Sequence, residues 1–206
     1  MAGSTSGAGA PRVGVLALQG DVREHLRVLS SFGAEAVPVR RPDELAGVDG
    51  LVIPGGESTV MDKLSRTFGL AVPLRAAIDD GLPVYGTCAG LIMLADRLDD
   101  GPVGQRTLGG LDVTVRRNAF GTQNDSFETD LDVPVLDGPP VHAVFIRAPV
   151  VTEVGPSATA IGTLADGRVV AVEQGSLMGT SFHPEVTADH RFHRRFLEKA
   201  RARATR

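Results

Sequence analysis

Gly86-Thr87-Cys88-Ala89-Gly90 sets the chain's single cysteine in a G-x-C-x-G pentapeptide between LPVY (82–85) and LIMLADRL (91–98). A nucleophile on a tight strand-to-helix turn needs small residues on either side, because the backbone doubles back there and pushes the side chain into a cleft. Free N–H groups at the start of the following helix favour thiolate over thiol, and the N–H of Ala89 is placed to bind a developing oxyanion. A lone cysteine among apolar residues is equally compatible with inert packing, so the pentapeptide alone leaves nucleophile and core residue as even alternatives.

A partner base tips that balance. In SFHPE (181–185), Pro184 biases His183 toward extended backbone, so His183 and Glu185, two residues apart, project the same way. A carboxylate beside an imidazole holds its tautomer and stabilises its cation, leaving the other ring nitrogen to exchange a proton with a thiol. Cys88, His183 and Glu185 thus make a candidate triad. The other histidines lack such neighbours: His25, His190 and His193 are read as lying on polar helix faces and His142 in a loop after Pro-Pro, all at the surface. No cluster has zinc-ligand spacing, so neither metal nor cofactor is expected. PGGEST (54–59) adds two glycines that let a backbone approach a ligand closely, although a turn with Ser58 as helix cap explains it as well.

The elements that must position these residues follow from periodicity. VGVLAL (13–18) is a short apolar run suited to a buried parallel strand, and it leads into a helix in which Val22, Leu26 and Leu29 recur before Gly33. EAVPVR, DGLVIPGG (49–56) and LPVYGTC (82–88) read as further strands. A helical stretch runs from Thr59 to about Gly81, and another follows Cys88 with an apolar face from Leu91 to Leu98. Such alternation predicts a parallel sheet with helices on both faces, with ligands beyond the carboxyl ends of its strands. From Gly109 to Gly179 the pattern changes to short β-type runs with turns such as ADGR, and DHRFHRRFLEKARARATR closes the chain as a helix with Phe192, Phe196 and Leu197 inward.

With 206 residues, 42% of them hydrophobic, the chain has enough apolar surface for one sizeable core. The expected organisation is a flexible tail at 1–11, a single domain at 12–200 and a frayed end at 201–206. A net charge of −4 excludes a dedicated nucleic-acid surface. No apolar run reaches the roughly 18 residues of a membrane span, and one free cysteine fits a reducing compartment. A cytoplasmic protein is expected.

Taken together, the three motifs resemble the class I (triad) glutamine amidotransferases. LALQGDVREH (16–25), PGGEST, GTCAGLI (86–92), RNAFGTQNDSFE (117–128), FIRAP (145–149) and SFHPE narrow the resemblance to the glutaminase subunits of pyridoxal 5-phosphate synthase, over Val13 to the final helix. The resemblance implies a three-layer α/β/α domain with a central mixed, mostly parallel sheet. It implies hydrolysis of L-glutamine with Cys88 as nucleophile, His183 as acid/base and Glu185 as its orienting partner. Backbone N–H groups of Gly56 and Ala89 would form the oxyanion hole, while Gly56, Glu57, Ser58, Arg117, Ile146 and Arg147 would bind glutamine. Ammonia would pass to a (β/α)8-barrel synthase subunit in a hetero-oligomeric complex. Without the resemblance, both arginines read more readily as salt-bridge partners across the sheet edge. Where many relatives carry Arg, this chain has Thr122, which lacks a forked donor. The alternatives are a glutaminase serving another synthase, another cysteine hydrolase of similar fold, or a binding module with an inert buried cysteine.

Overall fold

Continuous apolar runs, alternating with amphipathic segments, build the first half of the chain. In the computed structural model, which describes residues 9–117 and 126–205, they form β1 (Arg12–Leu16), α1 (Val22–Ser31), β2 (Glu35–Val39), α2 (Pro42–Leu45) and β3 (Gly50–Ile53). The alternation continues through α3 (Ser58–Thr67), α4 (Ala71–Asp79), β4 (Val84–Thr87) and α5 (Ala89–Leu94). Shorter runs then give β5 (Ala95–Asp99), β6 (Leu111–Arg116), β7 (Ser126–Leu131), β8 (Val141–Ile146), β9 (Val150–Val154), β10 (Thr159–Thr163), β11 (Val169–Gln174) and β12 (Leu177–Thr180). A 3-10 turn at Pro184–Val186 precedes the last helix, α6 (Arg191–Ala204).

The main sheet runs β2-β1-β3-β4-β12-β11-β9-β6-β5, with β10 paired to β11. Its first half is parallel through β12, the pairings of β11 with β12, β9 and β10 are antiparallel, and β5 with β6 is again parallel. A separate antiparallel ribbon joins β7 to β8. Successive strand residues enter opposite cores. Leu51, Ile53 and Val84 join Met61, Leu74 and Leu91 on one face, whereas Val52 and Tyr85 join Leu29, Phe192, Phe196 and Leu197 on the other. The result is a three-layer α/β/α fold with a mixed sheet.

Four local expectations change. The stretch from Thr59 to Gly81 is two helices, because the N–H groups of Phe68, Gly69 and Leu70 turn back onto carbonyls of α3 and close it. The helix after Cys88 ends at Leu94 instead of running to Leu98. Arg97, whose Nε donates to Thr114 Oγ1 at 2.8 Å and Nη1 to Asp112 at 2.8 Å, belongs to a strand paired with β6. His142 lies in β8, not in a loop, with its side chain exposed beside Glu128 and Asp130. At the end of the chain, α6 stays helical to Ala204, past the expected fraying at 201, and Arg201 and Arg203 donate to the carbonyls of Phe32 and Asp80. Residues 9–11 of the expected tail are described, with the Pro11 carbonyl accepting the Glu35 N–H at 3.0 Å, whereas residues 1–8 and Thr122 lie outside the described residues.

Candidate active site

β4 delivers Cys88 to the carboxyl end of the sheet, at the residue just before α5. Its backbone has φ 48° and ψ −104°, in a region L-residues rarely occupy and which costs on the order of 1–3 kcal/mol. Packing imposes that geometry. A Cβ on Gly86 would collide with the Gly90 carbonyl, and one on Gly90 with the carbonyl oxygen of Ile53, so only glycine fits on either side. The Cys88 N–H donates to the Thr180 carbonyl of β12 at 2.7 Å, and its own carbonyl accepts from Leu91 and Ile92. Since α5 is only six residues long, its support for a thiolate comes from the free N–H groups of one turn and not from a long dipole.

Thr180, the last residue of β12, is followed by His183 and Glu185. His183 Nδ1 lies 2.7 Å from Glu185 Oε1, and both side chains are buried. The pair meets through the 3-10 turn at Pro184, not through the two-residue alternation of a strand. Asp21, in the loop before α1, puts Oδ2 3.5 Å from the same nitrogen. Burial alone would lower the His183 pKa, but hydrogen bonds that the imidazole donates to Asp21, Cys88 and Glu185 and the charge of Cys88 outweigh it and push the imidazole up to about 12. The ligand-capable atoms of Asp21, His183 and Glu185 lie within 4.8 Å of one another. Their mutual hydrogen bonds explain that closeness.

The glycine loop after β3 packs on this imidazole. A Cβ at Gly55 would lie 3.0 Å from His183 Nδ1 and closer still to Cε1, and Gly55 also accepts the Asp21 N–H through its carbonyl at 3.3 Å. Gly56 has φ 151°, and Gln19 Oε1 accepts the next N–H, that of Glu57, at 2.7 Å. Glu57, and not Ser58, caps α3: its carboxylate accepts the N–H groups of Thr59 and Val60, both at 3.2 Å. Burial works against that charge, but these bonds and the Arg117 guanidinium hold the carboxyl below its usual range. Ser58 instead accepts Gln105 Nε2 at 2.9 Å. Arg117 donates to Glu57 at 2.8 Å and to Gln105 Oε1 at 2.9 Å, so its ion pair spans the cleft and not the sheet edge.

Gly56, Glu57, Ser58, Cys88, Ala89, Ile92, Arg117, Ile146, Arg147 and Pro149 together line a cleft of about 120 Å³. Every residue expected for oxyanion or glutamine binding is among them, with His183 and Glu185 behind Cys88. Ile146 and Arg147 come from the end of β8, where Arg147 has φ 45°. A larger hollow of about 370 Å³ beside α3 and α4, lined in part by Arg66, Arg75 and Arg106, contains neither cysteine nor histidine. Chemistry, not size, selects the smaller cleft.

Five participants escaped the sequence. Asp21 and Gln19 lie in LALQGDVREH, which carried no assigned role, and Gln105 had no local signal at all. His25 and His193, expected at the surface, are wholly buried. His25 Nδ1 lies 3.0 Å from His193 Nε2, and His25 Nε2 lies 3.2 Å from Thr87 Oγ1. Their spacing announces this: His25 falls with Val22 and Leu29 on one helical stripe, and His193 with Leu197 and Ala200 on another.

Comparison with known proteins agrees with this architecture. A crystal structure of a glutamine amidotransferase superposes with a TM-score of 0.85 at 47% identity, covering 91% of this chain and 98% of its own. The pyridoxal 5'-phosphate synthase subunit PdxT of Clavibacter sepedonicus is 72% identical over 200 residues, 96% of each chain. That of Leifsonia xyli subsp. xyli is 70% identical over 196 residues, 95% of this chain and 99% of the relative. The model of the SNO glutamine amidotransferase family matches residues 15–202, nearly the whole described fold, and the chain belongs to that family.

Proposed function

We propose that this chain is the glutaminase subunit of a pyridoxal 5'-phosphate synthase, hydrolysing L-glutamine to L-glutamate and ammonia for a (β/α)8-barrel synthase subunit. The observation that carries the proposal is Cys88, held at a strained strand-to-helix turn at the floor of the cleft, with the buried His183–Glu185 pair hydrogen-bonded behind it. The names of the relatives support the role in the complex. Residues 12–200 act as one domain, and a cytoplasmic location fits a chain with a single free cysteine.

In the proposed mechanism the Cys88 thiolate attacks the carboxamide carbon of glutamine, and the oxygen takes the negative charge against the backbone N–H groups of Gly56 and Ala89. The C–N bond breaks as His183 gives its proton to the departing ammonia. A pKa near 12 keeps that proton on the imidazole at neutral pH. Once the sulfur is acylated, the thiolate no longer holds the proton there, and the neutral imidazole accepts one from water. Attack of that water on the thioester breaks the C–S bond and releases glutamate. Glu57, Ser58, Arg117, Ile146 and Arg147 hold the amino-acid end of the substrate.

The test is ammonia release from glutamine with and without the barrel subunit, with Cys88→Ala as control. Glutamine-dependent release that the barrel subunit stimulates and Cys88→Ala abolishes is expected. Stimulation only by a different synthase would assign the chain to another complex, and equal activity of Cys88→Ala would overturn the nucleophile.

A further inference from the structure

We infer that His25 is a positioning residue for this reaction, donating its Nε2–H to the second oxygen of Glu185, and that His193 fixes the tautomer that lets it do so. The inference rests on the triad proposed above. Glu185 is 1% exposed, and while Oε1 bonds His183, Oε2 is buried with no hydrogen-bond partner among the described residues. What faces Oε2 is His25 Nε2, at 3.5 Å, with both side chains fully excluded from water.

A carboxylate only accepts, so the nitrogen opposite it must carry hydrogen. The reverse tautomer would set a ring lone pair against a buried negative oxygen. Thr87 Oγ1, 3.2 Å from the same nitrogen, is then the nearer acceptor of that N–H, which it shares with Oε2. With Nε2 protonated, His25 Nδ1 is an acceptor, and the nitrogen 3.0 Å away, His193 Nε2, must be its donor. That leaves His193 Nδ1 without hydrogen, and this atom is indeed buried with no hydrogen-bond partner among the described residues. An unmet acceptor is tolerated more often than an unmet N–H.

Neither ring is charged at neutral pH. Burial, then the neighbouring His193 and His183, pushes His25 well below its ordinary value, and burial, then His190, brings His193 down to about 3. The surrounding polar groups are engaged elsewhere: Tyr85 bonds Thr180, Asp21 reaches His183, and His190 meets His193 only ring to ring. Glu185 therefore has one imidazole N–H facing each oxygen. From His183 alone the carboxylate would be free to pivot on its 3-10 turn. The second bond, from α1, stops that rotation and keeps His183 aimed at Cys88.

Ring nitrogen-proton correlation spectra of the full chain at pH 7 read the tautomers directly. Neutral, Nε2-protonated His25 and His193 are expected, and an Nδ1-protonated or doubly protonated His25 overturns the inference. In the complex, His25→Leu should lower kcat roughly ten- to a hundredfold, the worth of one hydrogen bond to a charged group, with little change in KM for glutamine. The acid limb of kcat/KM should move to higher pH, because the charged form of the triad loses a donor. His25→Gln, which returns an N–H near the same place, should restore both. A folded His25→Leu with unchanged kcat and pH limb, or a His25→Gln no better than His25→Leu, also overturns it. Absence of hydrolysis by the wild type would count against the glutaminase proposal instead, and the tautomers would still decide the hydrogen-bond chain.

Discussion

Arg117 Nη2 lies 2.8 Å from Glu57 Oε1, joining the residue just after β6 to the cap of α3 across the catalytic cleft. Gln105 ties the same guanidinium to Ser58. Of the polar groups expected to hold glutamine, Glu57, Ser58 and Arg117 are thus linked to one another, directly or through Gln105.

Replacing Arg117 should therefore show mainly in substrate affinity. Arg117→Ala is expected to raise KM for glutamine about tenfold or more, the range for losing a hydrogen bond to a charged group, with a smaller fall in kcat. Arg117→Lys should recover only part, because an ammonium cannot reproduce the forked contacts to Glu57, Thr59 and Gln105. Steady-state kinetics of the complex decide it, and an unchanged KM in Arg117→Ala would remove the residue from the glutamine site.

Gly56 is constrained on two counts: its φ of 151° disfavours any side chain, and a Cβ would press on the Gln19 amide and on Met61. Gly56→Val should cut glutaminase turnover by at least tenfold, the scale reported for losing one oxyanion donor being about a hundredfold or more. Binding to the synthase subunit, followed by size-exclusion chromatography, should stay normal. Normal turnover would exclude this loop from the oxyanion hole.

Glu185 separates orientation from nucleophilicity. Glu185→Gln keeps the shape but offers the wrong tautomer to His183, and by analogy with other triads kcat should fall on the order of 10³- to 10⁴-fold. Cys88 should still alkylate with iodoacetamide, though more slowly. A loss under tenfold would show that Asp21, 3.5 Å from the same nitrogen, can orient His183 by itself.

How far the sequence disclosed this arrangement depended on where each signal lay. The Cys88 turn was legible because steric demands at Gly86 and Gly90 act within five residues. SFHPE was legible because His183 and Glu185 are two apart. Residue type places His25 and His193 at the surface, although their stripes with Leu29 and with Leu197 point inward. Asp21 and Gln105 reach the site from loops, where no periodicity marks direction and only long-range folding brings them to His183 and Ser58. The helix after Cys88 was read too long for a related reason: α5 and the residues beyond it share an apolar pattern, and only pairing with β6 decides where helix ends and strand begins.

Those two buried histidines also set how the fold responds to acid. In the unfolded chain each takes up a proton as pH falls through about 6.5, whereas in the folded chain burial holds His25 well below that and His193 at about 3. Between these values the unfolded state binds more protons, so stability must fall as pH drops across the window. His183 acts in the opposite sense: its raised pKa adds stability that is complete below about 6.5 and is lost only as pH climbs toward about 12. Carboxylates such as Glu57 contribute to acid unfolding as well, so the wild-type curve alone does not isolate the histidines. His193→Gln, which keeps polarity but cannot titrate, should therefore lose melting temperature less steeply than wild type between pH 6.5 and 4, even if it starts lower. Thermal melts at half-unit pH steps measure the two slopes, and parallel curves would mean that His193 is protonated as readily in the fold as outside it.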